Sequence, residues 1–335
     1  MVNEAAGLTL LLAAGLGASL AAGAVHTARV LTRPPRRTFS WAVSRSLPSS
    51  PAELRSPERP DGYPFETWAF RSRGLDLPVW DIRGDDPAGP TIIFTHGWGD
   101  SRITSLPRVP HLVNLCSRLL LWDLPGHGDS PGRCSLGASE TDDLLALIDH
   151  IAGPDSAPAI LHGFSLGAGI SIDAAVRNTA PPGGIAAVVA EAPYRIPIVP
   201  ARNVLRAAGL PWRLTLPPAM AWAGLRSGHG LSWITERYGT RFDRARLAAD
   251  LPVPLLVLCG DLDAVSPPDD ARAIAAAAPH STLELIPGAA HLNLWTDPAH
   301  AQRCAAAVRR FLARAAATSS PPPAGRSSAG RAPSA

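Results

Sequence analysis

Lysine is absent from this sequence, and all 31 of its basic residues are arginines. Acidic residues number 28, so the formal net charge is only +3. The missing lysines, together with abundant alanine and 35 prolines, indicate the compositional bias of a GC-rich genome. The arginine content therefore does not predict a nucleic-acid-binding patch, and so mild a positive balance predicts no acidic partner.

Cysteine is also scarce. The chain has four, Cys116, Cys134, Cys259 and Cys304, and no two of them form a CxxC pair. None lies at zinc-ligand spacing from a histidine, so the pattern does not predict a metal site. We expect buried free thiols of a reducing compartment, with a disulfide left open by the sequence alone.

The length of 335 residues and the hydrophobic fraction of 46% are those of one globular domain with appendages. We divide the chain into a transmembrane anchor at 1–28, a Pro/Arg-rich linker at 29–60, the catalytic domain at 61–316 and a disordered tail at 317–335. Neither the anchor nor the linker holds a catalytic motif. A chain beginning near Asp61 is therefore expected to keep its activity.

The segment from Ala5 to Val25 carries no charged residue. As a helix it would span about 30 Å, the thickness of the hydrocarbon core of a bilayer. Arginines follow it, from Arg29 to Arg37, whereas a secretory signal carries its positive charge before the apolar run. The positive-inside rule predicts a single-pass amino-terminal anchor with a cytoplasmic catalytic domain. Export after signal-peptide cleavage is the alternative, because Ala21, Ala22 and Ala24 offer a cleavage site.

Short apolar runs alternate with helical patterns through the catalytic domain, which predicts a mostly parallel sheet covered on both faces. The predicted strands are 68–72, 77–82, 91–95, 119–123, 159–162, 185–190, 253–259 and 282–286. The predicted helices are 139–151, 167–177, 268–277 and 298–315. In such sheets the chemistry lies beyond the carboxyl ends of the strands.

A Gly-x-Ser-x-Gly motif, Gly163 to Gly167, lies between a predicted strand and a predicted helix. A serine in so tight a turn is strained, and its hydroxyl projects above the sheet. The flanking glycines are required because a side chain there would collide with the turn. The start of the helix also directs N–H groups at developing negative charge. We therefore predict Ser165 as a nucleophile.

Two further strand ends offer the partners that a serine nucleophile needs. Asp261 and Asp263 follow one predicted strand, and His291 follows the next. An imidazole takes the serine proton, and a buried carboxylate holds the imidazole in the correct tautomer. The chain order Ser, Asp, His is that of a hydrolase with a parallel sheet. His96 and His127 are expected to order their loops, and His162 to pack beneath the serine turn.

From about residue 63 to residue 315 the chain resembles the α/β-hydrolase family, especially its esterase, lipase and serine-aminopeptidase-like branches with a serine nucleophile. The motifs that carry the resemblance are His96-Gly97-Trp98-Gly99, the run from Asp123 to Ser130, the Gly163 to Gly167 turn, and the loops of Asp263 and His291. The resemblance implies an α/β fold with a mostly parallel sheet flanked by helices. It also implies that the acid is Asp263, the fourth residue of a G-x-x-D pattern, rather than Asp261. The backbone N–H groups of Trp98 and Leu166 would form the oxyanion hole.

The strand–helix alternation breaks between Tyr194 and Asp250. In the family, an insertion at this place forms a cap, so we expect a helical cap at about 194–250. Its tryptophans, Trp212, Trp222 and Trp233, either shape an apolar pocket or simply pack the cap onto the body.

The expected activity is hydrolysis of a carboxylic ester, including a lipid-derived one, through an acyl-enzyme intermediate. This chemistry requires no cofactor and no metal. An amidase, peptidase or thioesterase would use the same catalytic residues and stays open. A membrane-anchored, non-catalytic protein of the same fold is the alternative from another class. The expected partners are a small-molecule or lipid-like acyl substrate and a membrane, and not a nucleic acid.

Overall fold

The structure is a computed structural model, and it describes residues 2–153, 157–178, 184–226 and 242–319. Its centre is an eight-stranded sheet with the strand order β1-β2-β4-β3-β5-β6-β7-β8. The strands are β1 (Phe65–Ser72), β2 (Leu75–Arg83), β3 (Thr91–Thr95), β4 (Arg118–Trp122), β5 (Ala159–Phe164), β6 (Ile185–Glu191), β7 (Leu255–Gly260) and β8 (Ser281–Ile286). Among the described strands β2 alone runs opposite to the others, since it pairs antiparallel with both β1 and β4 and every other pair is parallel.

Helices cover both faces of the sheet, as the alternating pattern predicts. They are α1 (Val2–Thr32), α2 (Phe39–Val43), α3 (Val109–Leu112), α4 (Glu140–Ile151), α5 (Leu166–Arg177), α6 (Ile198–Ala207), α7 (Trp212–Arg226), α8 (Arg244–Ala249), α9 (Pro268–Ala277) and α10 (Pro298–Ser319). One apolar core joins the sheet to α4, α5, α8 and α9, and the other joins it to α3 and α10. The mostly parallel sheet flanked by helices is therefore confirmed.

Strand β5, which leads into the serine turn, is buried along its whole length. Its side chains alternate between the two cores, with Leu161 in one and Ile160 in the other. A strand covered on both faces favours apolar residues on both sides, and this explains the apolar residues Ala159 to Leu161 with which β5 begins.

Helix α1 packs its carboxy-terminal half against the cap helix α7. Ala24, Ala28 and Leu31 are buried there, and a Cβ on Gly23 would lie 3.0 Å from Cγ2 of Thr215. Within the part of the chain that the structure describes, no helix is both long enough and apolar enough to span a membrane. This differs from the transmembrane helix expected over residues 5–25, a segment in which weakly apolar alanine and glycine predominate.

The segment 33–60, which we call the strap, is more ordered than the linker expected from its composition. It carries α2, and Ala42 of that helix is fully buried. Arg36 donates from Nη1 to the carbonyl of Ser130 at 2.8 Å, and Ser101 donates from Oγ to the carbonyl of Arg37 at 2.8 Å. The strap lies on the body of the sheet domain because these arginines, read from composition as linker residues, bond to its loops.

Helices α6 and α7 lie between β6 and β7, in the region where a cap is expected. Residues 227–241, with Trp233, lie outside the described residues, as does the expected tail from residue 320 onward. The four cysteines are buried and free. Burial raises the pKa of Cys116, Cys259 and Cys304 to about 12, so these thiols are inert at neutral pH.

Candidate active site

Ser165 lies in a strained turn between β5 and α5. Its φ is 52° and its ψ is −107°, a conformation that costs free energy in any residue except glycine. A Cβ on Gly163 would lie 2.2 Å from the carbonyl oxygen of Gly167, and a Cβ on Gly167 would lie 2.0 Å from that of Thr95. The turn therefore requires glycine at both places. Its backbone is held in part by Ser165 N, which donates to the carbonyl of Glu191 at 2.8 Å.

His291 and Asp263 meet beyond the ends of β8 and β7. Nδ1 of His291 lies 2.7 Å from Oδ2 of the buried Asp263. The other carboxylate oxygen, Oδ1, accepts from the backbone N–H groups of Val265 at 2.9 Å and Ser266 at 2.8 Å. With Nδ1 donating to the carboxylate, the tautomer leaves Nε2 as a proton acceptor.

Asp261, the other carboxylate of the same turn, points elsewhere. It is exposed, and its Oδ1 accepts from the backbone N–H of Gly288 at 2.7 Å. The structure thus pairs His291 with Asp263 and uses Asp261 to bind the β8 turn.

Trp98 and Leu166 border the same cavity as Ser165 and His291. Leu166 is the first residue of α5, so its N–H has no acceptor within the helix. Next to Trp98, His96 lies between two loops: its Nδ1 is 2.8 Å from the carbonyl of Gly97, and its Nε2 accepts from Leu124 N at 3.0 Å. Burial lowers the pKa of His96 well below its ordinary value, so the ring is neutral and orders the loop, as predicted.

A buried cluster beneath the serine turn escaped the sequence analysis. Glu191 ends β6 with no exposed surface, and its carboxylate accepts from Nη2 of Arg108 at 2.7 Å, Nε2 of His162 at 2.6 Å and Nε1 of Trp295 at 2.6 Å. Burial alone would raise the pKa of Glu191, but the Arg108 charge and then His162 outweigh it and lower the pKa to about 2. A carboxylate at the end of an apolar strand, IAAVVAE, was the available signal. His162 packs beneath the turn, as expected.

Two cavities adjoin the site. The cap-side cavity holds about 240 Å³ and is bordered by Ser165, by α6 and by Val30 and Leu31 of α1. The strap-side cavity holds about 290 Å³ and is bordered by Trp41 and Leu54 of the strap. Both are predominantly apolar. Residues assigned from sequence to the linker at 29–60 therefore form walls of the site.

Arg37 of the strap forms an ion pair with Asp100, which lies in the loop after Trp98. Burial raises the pKa of Asp100, and the Arg37 charge opposes that effect. Nothing in the sequence pattern pairs these two residues, which are 63 positions apart.

Comparison with known proteins identifies one family whose model matches most of the chain. A family model described as "Alpha/beta hydrolase family" matches residues 92–307. Among curated proteins, the chain is 30% identical over 125 residues to the magnesium-chelatase 30 kDa subunit of Rhodobacter capsulatus. That match covers 36% of this chain and 43% of the relative, so the chain spans less than half of the relative's length.

Several solved structures share the fold. An esterase of Pyrococcus furiosus superposes with a TM-score of 0.59 at 19% identity, over 85% of this chain and 98% of its own. An esterase of Thermogutta terrifontis gives 0.53 at 22% identity, over 75% and 99%. A membrane phospholipase A, described as a bacterial virulence factor, gives 0.55 at 17% identity, over 94% and 99%.

Proposed function

We propose that this chain, which belongs to the α/β-hydrolase family, is a serine hydrolase that cleaves carboxylic esters through an acyl-enzyme intermediate. The observation that carries the proposal is the hydrogen bond between His291 and the buried Asp263, beside the cavity that Ser165 also borders. A carboxylate-oriented imidazole next to a strained serine is the arrangement that activates a hydroxyl.

In the proposed reaction Ser165 attacks the carbonyl carbon while Nε2 of His291 takes the hydroxyl proton. The N–H groups of Trp98 and Leu166 stabilise the oxyanion. His291 then returns the proton to the leaving alcohol as the bond between the acyl carbon and the alcohol oxygen breaks. Water repeats the sequence, releasing the acid and restoring Ser165.

The apolar walls of both cavities support an ester with apolar parts, including a lipid-like one. Esterases and a phospholipase are among the proteins that share the fold, although likeness at this level of identity establishes only the fold. The reaction requires neither metal nor cofactor.

Labelling with a fluorophosphonate tests the nucleophile. Ser165→Ala should abolish labelling and lower ester turnover by several orders of magnitude, since serine hydrolases lose on the order of 10⁶ in kcat without the nucleophile. Ser171→Ala is the matched control, because Ser171 is a buried serine of α5 that borders neither cavity. Persistent labelling of the Ser165 variant would move the nucleophile elsewhere, and an unlabelled wild type would favour the non-catalytic binding protein.

Membrane attachment through residues 5–25, with a cytoplasmic catalytic domain, stays a prediction within this proposal. Its support is the uncharged run and the arginines that follow it. The full chain should sediment with membranes and should resist protease added outside intact spheroplasts. A mature chain that begins near His26 in the external fraction would instead identify a cleaved signal peptide.

A further inference from the structure

The two cavities meet at a shared boundary and differ in which reacting groups they reach. Ser165, Trp98 and Leu166 border the cap-side cavity and not the strap-side cavity. The shared residues are Arg37, Asp100, Phe164, His291 and Leu292. Of the proposed catalytic groups, only His291 therefore borders the strap-side cavity.

This difference indicates which cavity holds the acyl half of an ester and which holds the alcohol half. In acyl transfer the acyl carbon bonds to the serine oxygen and its oxyanion points at the N–H donors. The acyl chain therefore extends into the cavity bordered by Ser165, Trp98 and Leu166. The leaving oxygen must reach the protonated imidazole. The alcohol therefore departs into the strap-side cavity, which His291 borders and Ser165 does not.

The strap supplies much of the wall on that side. Trp41, Leu47 and Leu54 face Ile103 and Leu294 across a space of about 290 Å³. Such a cavity accommodates an alkyl or aryl alcohol, since apolar surface gains free energy on leaving water.

The ion pair between Arg37 and Asp100 lies at the boundary of the two cavities. The two charges offset each other, so this boundary presents no net charge of its own to the ester group. The arrangement favours an uncharged ester over an anionic one, because an anion would have to compete with Asp100 for Arg37.

We propose that the strap forms an alcohol-binding subsite, and that the substrates are uncharged esters with extended apolar groups on both sides of the ester bond. This inference rests on the proposed function, because it assigns the leaving group to the cavity that His291 borders and Ser165 does not. The bond that breaks joins the acyl carbon to the alcohol oxygen, and that oxygen takes the proton that His291 received from Ser165. The strap thereby determines which alcohols leave efficiently.

Two ester series test the assignment. In one the acyl group is fixed as hexanoyl and the alcohol runs from methyl to octyl, and in the other the alcohol is methyl and the acyl group runs from acetyl to decanoyl. Leu47→Trp fills the strap-side cavity, and Val204→Trp fills the cap-side cavity. These side chains are 44% and 43% exposed, so neither substitution overpacks the core. Leu214→Trp is the control, since Leu214 is exposed and borders neither cavity.

We expect Leu47→Trp to lower kcat/KM for the octyl ester about tenfold or more, because a few methylenes in an apolar pocket are worth factors of this size. The same substitution should change kcat/KM little for the methyl esters of the second series. Val204→Trp should instead lower kcat/KM for the long acyl chains. The inference is overturned if Leu47→Trp leaves the alcohol series unchanged, or if it affects the acyl series instead. Failure of the proposed function gives a different result, because wild type would then hydrolyse no ester in either series.

Discussion

Replacing Glu191 by Gln should destabilise the protein strongly although the two side chains have nearly the same shape. The carboxylate is fully buried and holds Arg108, His162 and Trp295 together. Gln removes the negative charge and leaves the guanidinium of Arg108 buried without compensation. Breaking one side of a buried pair typically costs about 3–5 kcal/mol.

The pKa of Glu191 gives a second way to calculate the loss of unfolding free energy. The ordinary value is 4.5 and the folded value is about 2. At about 1.4 kcal/mol per pH unit, this difference corresponds to about 3 kcal/mol of stability at neutral pH. The two routes agree on a free-energy loss of about 3 kcal/mol.

The same pKa fixes how the effect depends on pH. Because the folded pKa is lowered, the stabilisation is fully present above pH 4.5 and is lost as pH falls through about 2. The difference between wild type and Glu191→Gln should therefore shrink by about 1 kcal/mol at pH 4 and about 2 kcal/mol at pH 3.

Urea unfolding, followed by fluorescence at pH 7, 4 and 3, measures this difference. The matched control is Glu284→Gln, because Glu284 pairs with Arg310 at the surface and should contribute less than about 1 kcal/mol. A loss below about 1 kcal/mol for Glu191→Gln, or a difference that does not shrink in acid, would refute the reasoning.

Three further predictions concern the site. Asp263→Asn should lower kcat by about 10⁴ and Asp261→Asn by less than about tenfold, since of these two carboxylates Asp263 is the one that bonds to His291. If steady-state kinetics reverse this ranking, Asp261 is the catalytic acid. Deletion of residues 1–60 should lower kcat/KM for long-chain esters about tenfold or more, because both cavities lose part of their walls. Full activity in ester assays would instead show that residues 29–60 serve only as a linker. Gly167→Ala should cost at least about 1–3 kcal/mol, because its Cβ would lie 2.0 Å from the carbonyl oxygen of Thr95, and an unchanged Tm would contradict the tight turn.

Strand positions could be predicted well because burial on both faces leaves a continuous apolar signal. The predicted strand 91–95 matches β3, and the predicted helix 268–277 matches α9. The region of the cap was predictable too, because the alternation of strand and helix stops there. The resemblance to the family, through its G-x-x-D pattern, implied Asp263 rather than Asp261, and it is Asp263 that the structure brings to His291.

Two features could not be predicted, for different physical reasons. An uncharged run rich in alanine fits both a membrane span and a helix that packs on small side chains, so composition alone did not indicate that α1 lies against α7. Glu191 was missed because its partner Trp295 is 104 positions away along the chain. A buried ion cluster is built from such distant residues and leaves no local periodicity.

The length of α1 has a mechanical consequence for the pocket. Its 31 residues form one helix about 45 Å long, with Val30 and Leu31 in the pocket wall at one end. A tilt of only a few degrees about the far end would displace those side chains by about 2–3 Å, which is more than the length of a carbon–carbon bond. Binding that tilts the first turns of this helix would therefore change the shape of the cavity beside Ser165 without contacting the cavity.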